Sequence, residues 1–326
     1  KASTDLLGRL AGLGVDRLGR LQRNGLVEVQ EEGLHKLMKL SSPRLRQVLL
    51  EDLKPSERAR LHLDVAEALA TTNPRRLGPL AEVVAEHFLS ANRPARAWPL
   101  LVEAAQRGIR RNHFPQVLSL TRRALEAADS MDKAPLDAET TALHQRTLSL
   151  RGRAMLATGR FHEARTCLKE ALDLGLPTEG REGRNTRAAL GAAMVETAEC
   201  NEAAVILEPL LQELEPGDPV RFQTVRALGN AMRLQGRLEE SLRVWEDGCE
   251  AARQQGLPEQ EGLFLLGFGQ TLKAFGRLPE ARKSLQSAEN RLRVRDSREL
   301  ASCLVELGDL DLLDGSYRRA LARAED

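Results

Sequence analysis

Aromatic residues are scarce: Phe, Trp and Tyr make up 3% of the 326 residues. β-Branched residues are sparse as well, and strands are built mainly from these two classes, so a large sheet is excluded. Only four cysteines occur, Cys167, Cys200, Cys249 and Cys303. With no CxxC pair among them, they fit neither a zinc site nor a dense disulfide framework. The expectation is reduced thiols in a cytoplasmic protein. No apolar run approaches the roughly 18 residues of a membrane span, and Lys1-Ala-Ser-Thr-Asp5 opens no signal-peptide core. An excess of one charge is missing too: 48 basic and 47 acidic side chains leave a formal +1. No global field therefore recruits nucleic acid or an anionic membrane.

Catalytic signatures are lacking in the same way. The chain has no GxxxxGK[ST], no HExxH, no GxSxG and no kinase signature. His35, His62, His87, His113, His144 and His162 are scattered and read as surface or packing residues. Cys167 follows His162 by five residues, so a Cys/His nucleophile is a second reading, but no third group is spaced to orient it. The expectation is a chain without catalysis, metal or cofactor.

What is abundant is Leu, Ala, Arg and Glu, residues that lose little freedom in a helix. A period organises them. Gly159-Arg-Phe-His-Glu-Ala164, Ala198-Glu-Cys-Asn-Glu-Ala203, Gly236-Arg-Leu-Glu-Glu-Ser241, Gly276-Arg-Leu-Pro-Glu-Ala281 and Gly315-Ser-Tyr-Arg-Arg-Ala320 start 39, 38, 40 and 39 residues apart. Seven residues before each start stands a glycine: Gly152, Gly191, Gly229, Gly269 and Gly308. Each copy predicts a helix A, a tight turn and a helix B. A glycine inside helix A costs about 1 kcal/mol against alanine, and close approach of helix B supplies the reason for it. Leu168, Leu207, Trp245 and Leu285 hold the large apolar position on helix B. Gly175-Leu-Pro177, Pro216-Gly-Asp-Pro219 and Gly256-Leu-Pro258 stop one copy and start the next.

This register resembles the tetratricopeptide repeat family. Copy 145–178 carries the family's small residue, turn glycine, aromatic or leucine, alanine and large apolar residue as Gly152, Gly159, Phe161, Ala164 and Leu168, and copy 262–295 does so with Gly269, Gly276, Leu278, Ala281 and Leu285. The family's tryptophan is missing, the second copy turns on Ala198, and the period exceeds 34. The resemblance implies an all-α, right-handed superhelical solenoid over residues 94–326, with the C-terminus cut inside a repeat. Helices are also predicted at 77–91, 95–111 and 114–128, and a loop at Asp129–Asp137.

Upstream, helices are predicted around Leu6–Leu10 and Leu18–Leu21. A β-hairpin follows from Leu26–Gln30 through Glu32-Gly33 to His35–Leu40. Helices then run from Pro43 to Leu53 and from Pro55 to Ala70. Leu40-Ser-Ser-Pro-Arg-Leu-Arg-Gln-Val-Leu-Leu50 and Ala85-Glu-His-Phe-Leu89 resemble the winged-helix module of bacterial STAND-type signalling ATPases, as found in LuxR-type regulators and ATPase-fused serine/threonine kinases. Ser42 stands where that family often has a histidine. The partition expected is 1–54 winged-helix-like, 55–93 connecting helices and 94–326 repeats.

The resemblance also implies which residues line the concave face: Arg146, Arg153, Asn185, Gln223, Arg226, Asn230, Arg233, Gln270 and Lys273, with Asp309 and Glu196 as the acidic members. The basic excess among them points to an acidic or polar extended segment of a protein or peptide partner. The chain is thus expected to be an interaction arm of a bacterial signalling protein, holding a partner or its own upstream ATPase or kinase domains. Self-association through an open last repeat is a further expectation. A small-molecule sensor controlling an upstream ATPase or transcription regulator is the alternative. Arg44 and Arg46 give a weak case for nucleic-acid contact.

Overall fold

The computed structural model describes residues 2–3, 15–32, 35–72, 77–131, 137–293 and 298–325. The predicted helix around Leu6–Leu10, the Gly33 turn and most of the loop predicted at Asp129–Asp137 lie outside the described residues. The chain divides into two compact units, Lys1–Arg151 and Gly152–Asp326.

In the first unit, α1 (Val15–Arg23) stops at Asn24-Gly25, where Gly25 adopts φ +67°. Strands β2 (Val27–Glu32) and β3 (His35–Leu40) form the expected antiparallel hairpin in register Val27↔Leu40 to Glu32↔His35. A two-residue strand that the sequence pattern did not mark, β1 (Ala2–Ser3), adds to the far edge of β3. Ser42 caps α2 (Pro43–Asp52): its Oγ accepts from Arg44 N at 3.2 Å, and Pro43 fills the first position, where no donor is needed. Then follow α3 (Pro55–Thr72), α4 (Leu77–Ser90), α5 (Pro94–Arg110), α6 (Phe114–Asp129) and α7 (Ala138–Ala157), the last continuing past Arg151. Each of α3 to α5 packs on its successor, and Phe88, Trp98, Leu101, Leu120 and Ala124 are buried. The indole Nε1 of Trp98 donates to Thr147 Oγ1 at 3.0 Å, so the polar end of this buried ring is satisfied.

In the second unit the period becomes a series of helical hairpins: α7 with α8 (Phe161–Asp173), α9 (Gly180–Glu196) with α10 (Cys200–Glu213), α11 (Pro219–Leu234) with α12 (Leu238–Gln254), α13 (Pro258–Ala274) with α14 (Leu278–Leu292), and α15 (Arg298–Leu313) with α16 (Tyr317–Glu325). One cap ends every A helix. Gly159, Gly236, Gly276 and Gly315 sit at φ +70° to +82°. The amide just after each donates to the carbonyl five residues back, as Arg160 N does to Met155 O at 2.9 Å. Ala198 takes the same left-handed conformation, φ +63°, and Glu199 N donates to Met194 O at 2.8 Å. The second hairpin therefore turns like the others despite its missing glycine. Asn92 and Asn112, at φ +54° and +57°, repeat the turn upstream.

The glycines inside the A helices meet what the spacing predicted. A Cβ on Gly152, Gly191, Gly229 or Gly269 would lie 2.5, 2.5, 2.4 and 2.7 Å from Leu168, Leu207, Trp245 and Leu285. Gly308 departs from the pattern, with nothing within 4 Å of its Cβ position. In that copy the large apolar position is held by Ala324, too short to press on the opposing helix. Trp245 is flanked on both sides, since a Cβ on Gly267 would also stand 2.4 Å from it. Where Ser241 replaces the helix-B alanine, its buried hydroxyl donates to Gly229 O at 2.8 Å and lies 3.1 Å from Thr271 Oγ1. Both hydroxyls are paired there, Thr271 Oγ1 donating to Gly267 O at 2.9 Å, whereas the buried Trp245 Nε1 has no acceptor among the described residues.

Candidate functional site

Consecutive A helices of the second unit pack side by side: α9 on α11, α11 on α13, α13 on α15. On α11, Gln223, Arg226, Asn230 and Arg233 recur at intervals of three and four residues, which places them on one stripe. Arg226 is exposed and has no ion-pair partner among the described residues. Arg233 is half-buried, and burial holds its guanidinium below the usual range, opposed by the charge of Glu306. Its Nη2 reaches Asn230 Oδ1 at 3.4 Å, while its Nε is shielded from water and has no acceptor among the described residues. Arg153, on α7, is also half-buried and lowered by burial, with Glu182 opposing the shift. Asn185 turns inward on its own helix, donating to Arg181 O at 2.6 Å. Arg146 is exposed and belongs to the first unit.

Gln270 and Lys273 stand one turn apart on α13, and here the spacing of like residues misleads. Lys273 is no free cation: its Nζ lies 2.7 Å from Glu306 Oε2 and 2.7 Å from Asp309 Oδ2. Gln270 Nε2 donates to Glu306 Oε1 at 3.0 Å. The pull of both carboxylates outweighs desolvation and raises the Lys273 ammonium above its usual range. Of the basic residues expected on this face, Arg226 is exposed, Arg153 and Arg233 are half-buried, and Lys273 is already paired with two acids of α15.

Other ion pairs lie between helices. Asp311, fully buried, is held by Arg282 and by Arg323 at 2.9 Å. Glu261 is held by Arg253 at 3.0 Å and Arg291 at 2.6 Å. Cys249 and Cys303 are buried, and burial pushes both thiols up to about 12, so neither is a nucleophile at neutral pH. Cys167 Sγ lies 3.9 Å from Met155 Sδ. Among the described residues no three His, Cys, Asp or Glu side chains gather as a metal site would require, and no helix is long and apolar enough to cross a membrane.

No protein-family model matches the sequence, and no curated protein matches it. Solved structures do match in fold. The Rap protein complexed with competence and sporulation factor is 13% identical, with 76% of this chain and 75% of that chain covered and a TM-score of 0.53. The apo form of RapI is 12% identical, with 81% and 74% covered and a TM-score of 0.54. A tetratricopeptide repeat protein from Parabacteroides merdae is 12% identical over 81% and 84%, at a TM-score of 0.49. Identity this low speaks to fold alone. The fold is all-α, built from tetratricopeptide-type helical hairpins with one small N-terminal sheet.

Proposed function

We propose that this chain is a non-catalytic interaction module that holds an acidic, extended segment of a protein partner along the A helices of its second unit. The observation that carries this reading is the single stripe Gln223–Arg226–Asn230–Arg233. It offers two amides that pair with backbone and two guanidiniums that pair with carboxylates. Arg226 faces water without a counter-ion among the described residues, so a partner's carboxylate meets no competitor there. Arg233, half-buried one turn beyond Asn230, adds a second guanidinium to the stripe. The similarly folded Rap protein, solved with competence and sporulation factor, supports a partner-holding role. In the whole protein the module serves as a signalling arm, behind a winged-helix-like segment at 1–54 and connecting helices at 55–93, restraining upstream ATPase or kinase domains until a signal arrives.

The test is calorimetric titration of hexaglutamate, followed by pull-down of natural partners. Arg226→Glu with Arg233→Glu, at unchanged helicity, lowers affinity by at least about tenfold, since two attractive pairs become repulsive ones. Affinity falls with added salt as well. Unchanged affinity in the folded double variant would dismiss the stripe.

A further inference from the structure

We propose that Glu306 and Asp309 act as a built-in competitor for the stripe, a carboxylate pair that occupies the Lys273 end of the surface and that an acidic ligand must displace. This rests on the reading of the stripe given above. Three features of α13 and α15 carry it.

First, Glu306 breaks the repeat. The equivalent positions in the other copies are Leu150, Ala189, Ala227 and Gly267, all buried and uncharged. At Asp309 the equivalents are Arg153, Ala192, Asn230 and Gln270. Only the last copy places acids at both, side by side on one face of α15.

Second, the donors that hold them are those an acidic ligand needs. Lys273 Nζ contacts both carboxylates at 2.7 Å, and Gln270 Nε2 contacts Glu306 at 3.0 Å. An ammonium with an adjacent amide is a carboxylate receptor, and here the chain fills it itself. Glu306 also acts electrostatically on Arg233 of α11, so its charge reaches the stripe beyond Lys273.

Third, this cluster differs from the ion pairs that tie the hairpins together. Asp311 is 0% exposed and Glu261 6%, and both are enclosed by two arginines. Lys273, Glu306 and Asp309 keep 24%, 22% and 52% of their side-chain surface. Partly wetted pairs contribute less to stability than enclosed ones, and Asp309 is open to water, which suits a displaceable contact better than a structural one.

The experiment compares hexaglutamate affinity, by calorimetry on the full chain, for wild type and Glu306→Gln/Asp309→Asn. Both substitutions keep side-chain volume and one acceptor oxygen each while removing the charge. Removal of two competing charges raises affinity by at least about fivefold, in line with roughly 0.5 kcal/mol per exposed pair. Glu239→Gln/Glu246→Gln, on exposed positions of α12, alters net charge equally and leaves affinity within about twofold. Asp309→Asn alone, at the most exposed member, gives a smaller gain and serves if the double variant misfolds. Wild-type binding with no gain in these variants overturns the competitor, above all if melting temperature falls instead, and leaves the stripe standing. Failure of every form to bind hexaglutamate dismisses the stripe and the competitor together.

Discussion

Two glycines in the same repeat position respond to alanine with opposite signs. A methyl group on Gly229 would stand 2.4 Å from Trp245 Cε2, closer than side chains tolerate. The indole has no room to retreat, because Gly267 admits it equally closely from α13. Overpacking of this kind costs about 1–3 kcal/mol, and the enclosed ring points to the upper end. Helix propensity returns about 1 kcal/mol, for a net loss near 2 kcal/mol. Gly308 has nothing within 4 Å, so only the propensity gain remains, about 0.5–1 kcal/mol of stabilisation. Urea and thermal unfolding followed by far-UV circular dichroism measure both. Gly229→Ala lowers the midpoint of the second unit by about 4–8 °C and Gly308→Ala raises it by about 2 °C. Equal destabilisation by both would refute the reasoning, for it would mean that the glycine answers to something other than the side chain facing it. A neutral Gly229→Ala would refute it from the other direction.

Two further predictions concern the turns and pH. Ala198→Gly relieves a left-handed alanine at φ +63° and stabilises by about 1 kcal/mol, seen as a higher urea midpoint; a lower midpoint would show that Ala198 is unstrained. His62 on α3 and His87 on α4 meet at 2.9 Å between Nδ1 atoms. Burial foremost, then Arg58 for His62 and His62 for His87, holds both imidazoles below their ordinary 6.5. The folded chain therefore binds fewer protons than the unfolded one as they titrate, so stability is constant above about pH 6.5 and declines as pH falls below it. Melting temperatures at descending pH follow this, and His87→Gln flattens the decline; an unaltered slope in that variant would exclude the pair as its cause.

The repeat was legible because its period is enforced by sterics: a small residue opposite a large one, and a turn that demands positive φ. Such demands mark single positions. Gly152 with Leu168 and Gly191 with Leu207 could thus be paired from spacing alone. Ala198 was harder, since alanine enters the left-handed region only when the rest of the cap compels it, and that compulsion is invisible in one residue. Intervals of three and four put Gln223, Arg226, Asn230 and Arg233 on one face of α11, but only the resemblance to the repeat family implies that this face is the inner one. The partners of Lys273 were not. Glu306 lies 33 residues away, and which side chain of α15 comes level with Lys273 depends on the axial offset between neighbouring A helices. That offset is set by packing and written in no local pattern. The signal that could have found it was the solitary acid at a position otherwise held by Leu150, Ala189, Ala227 and Gly267.

The chain contains two tryptophans, Trp98 and Trp245, and each is 1% exposed. One belongs to each compact unit. Replacing either with phenylalanine leaves a single emitter, whose red shift on meeting water registers the loosening of its own unit. The protein thus carries two intrinsic optical gauges, through which the melting of its halves, together or in turn, is followed without any label.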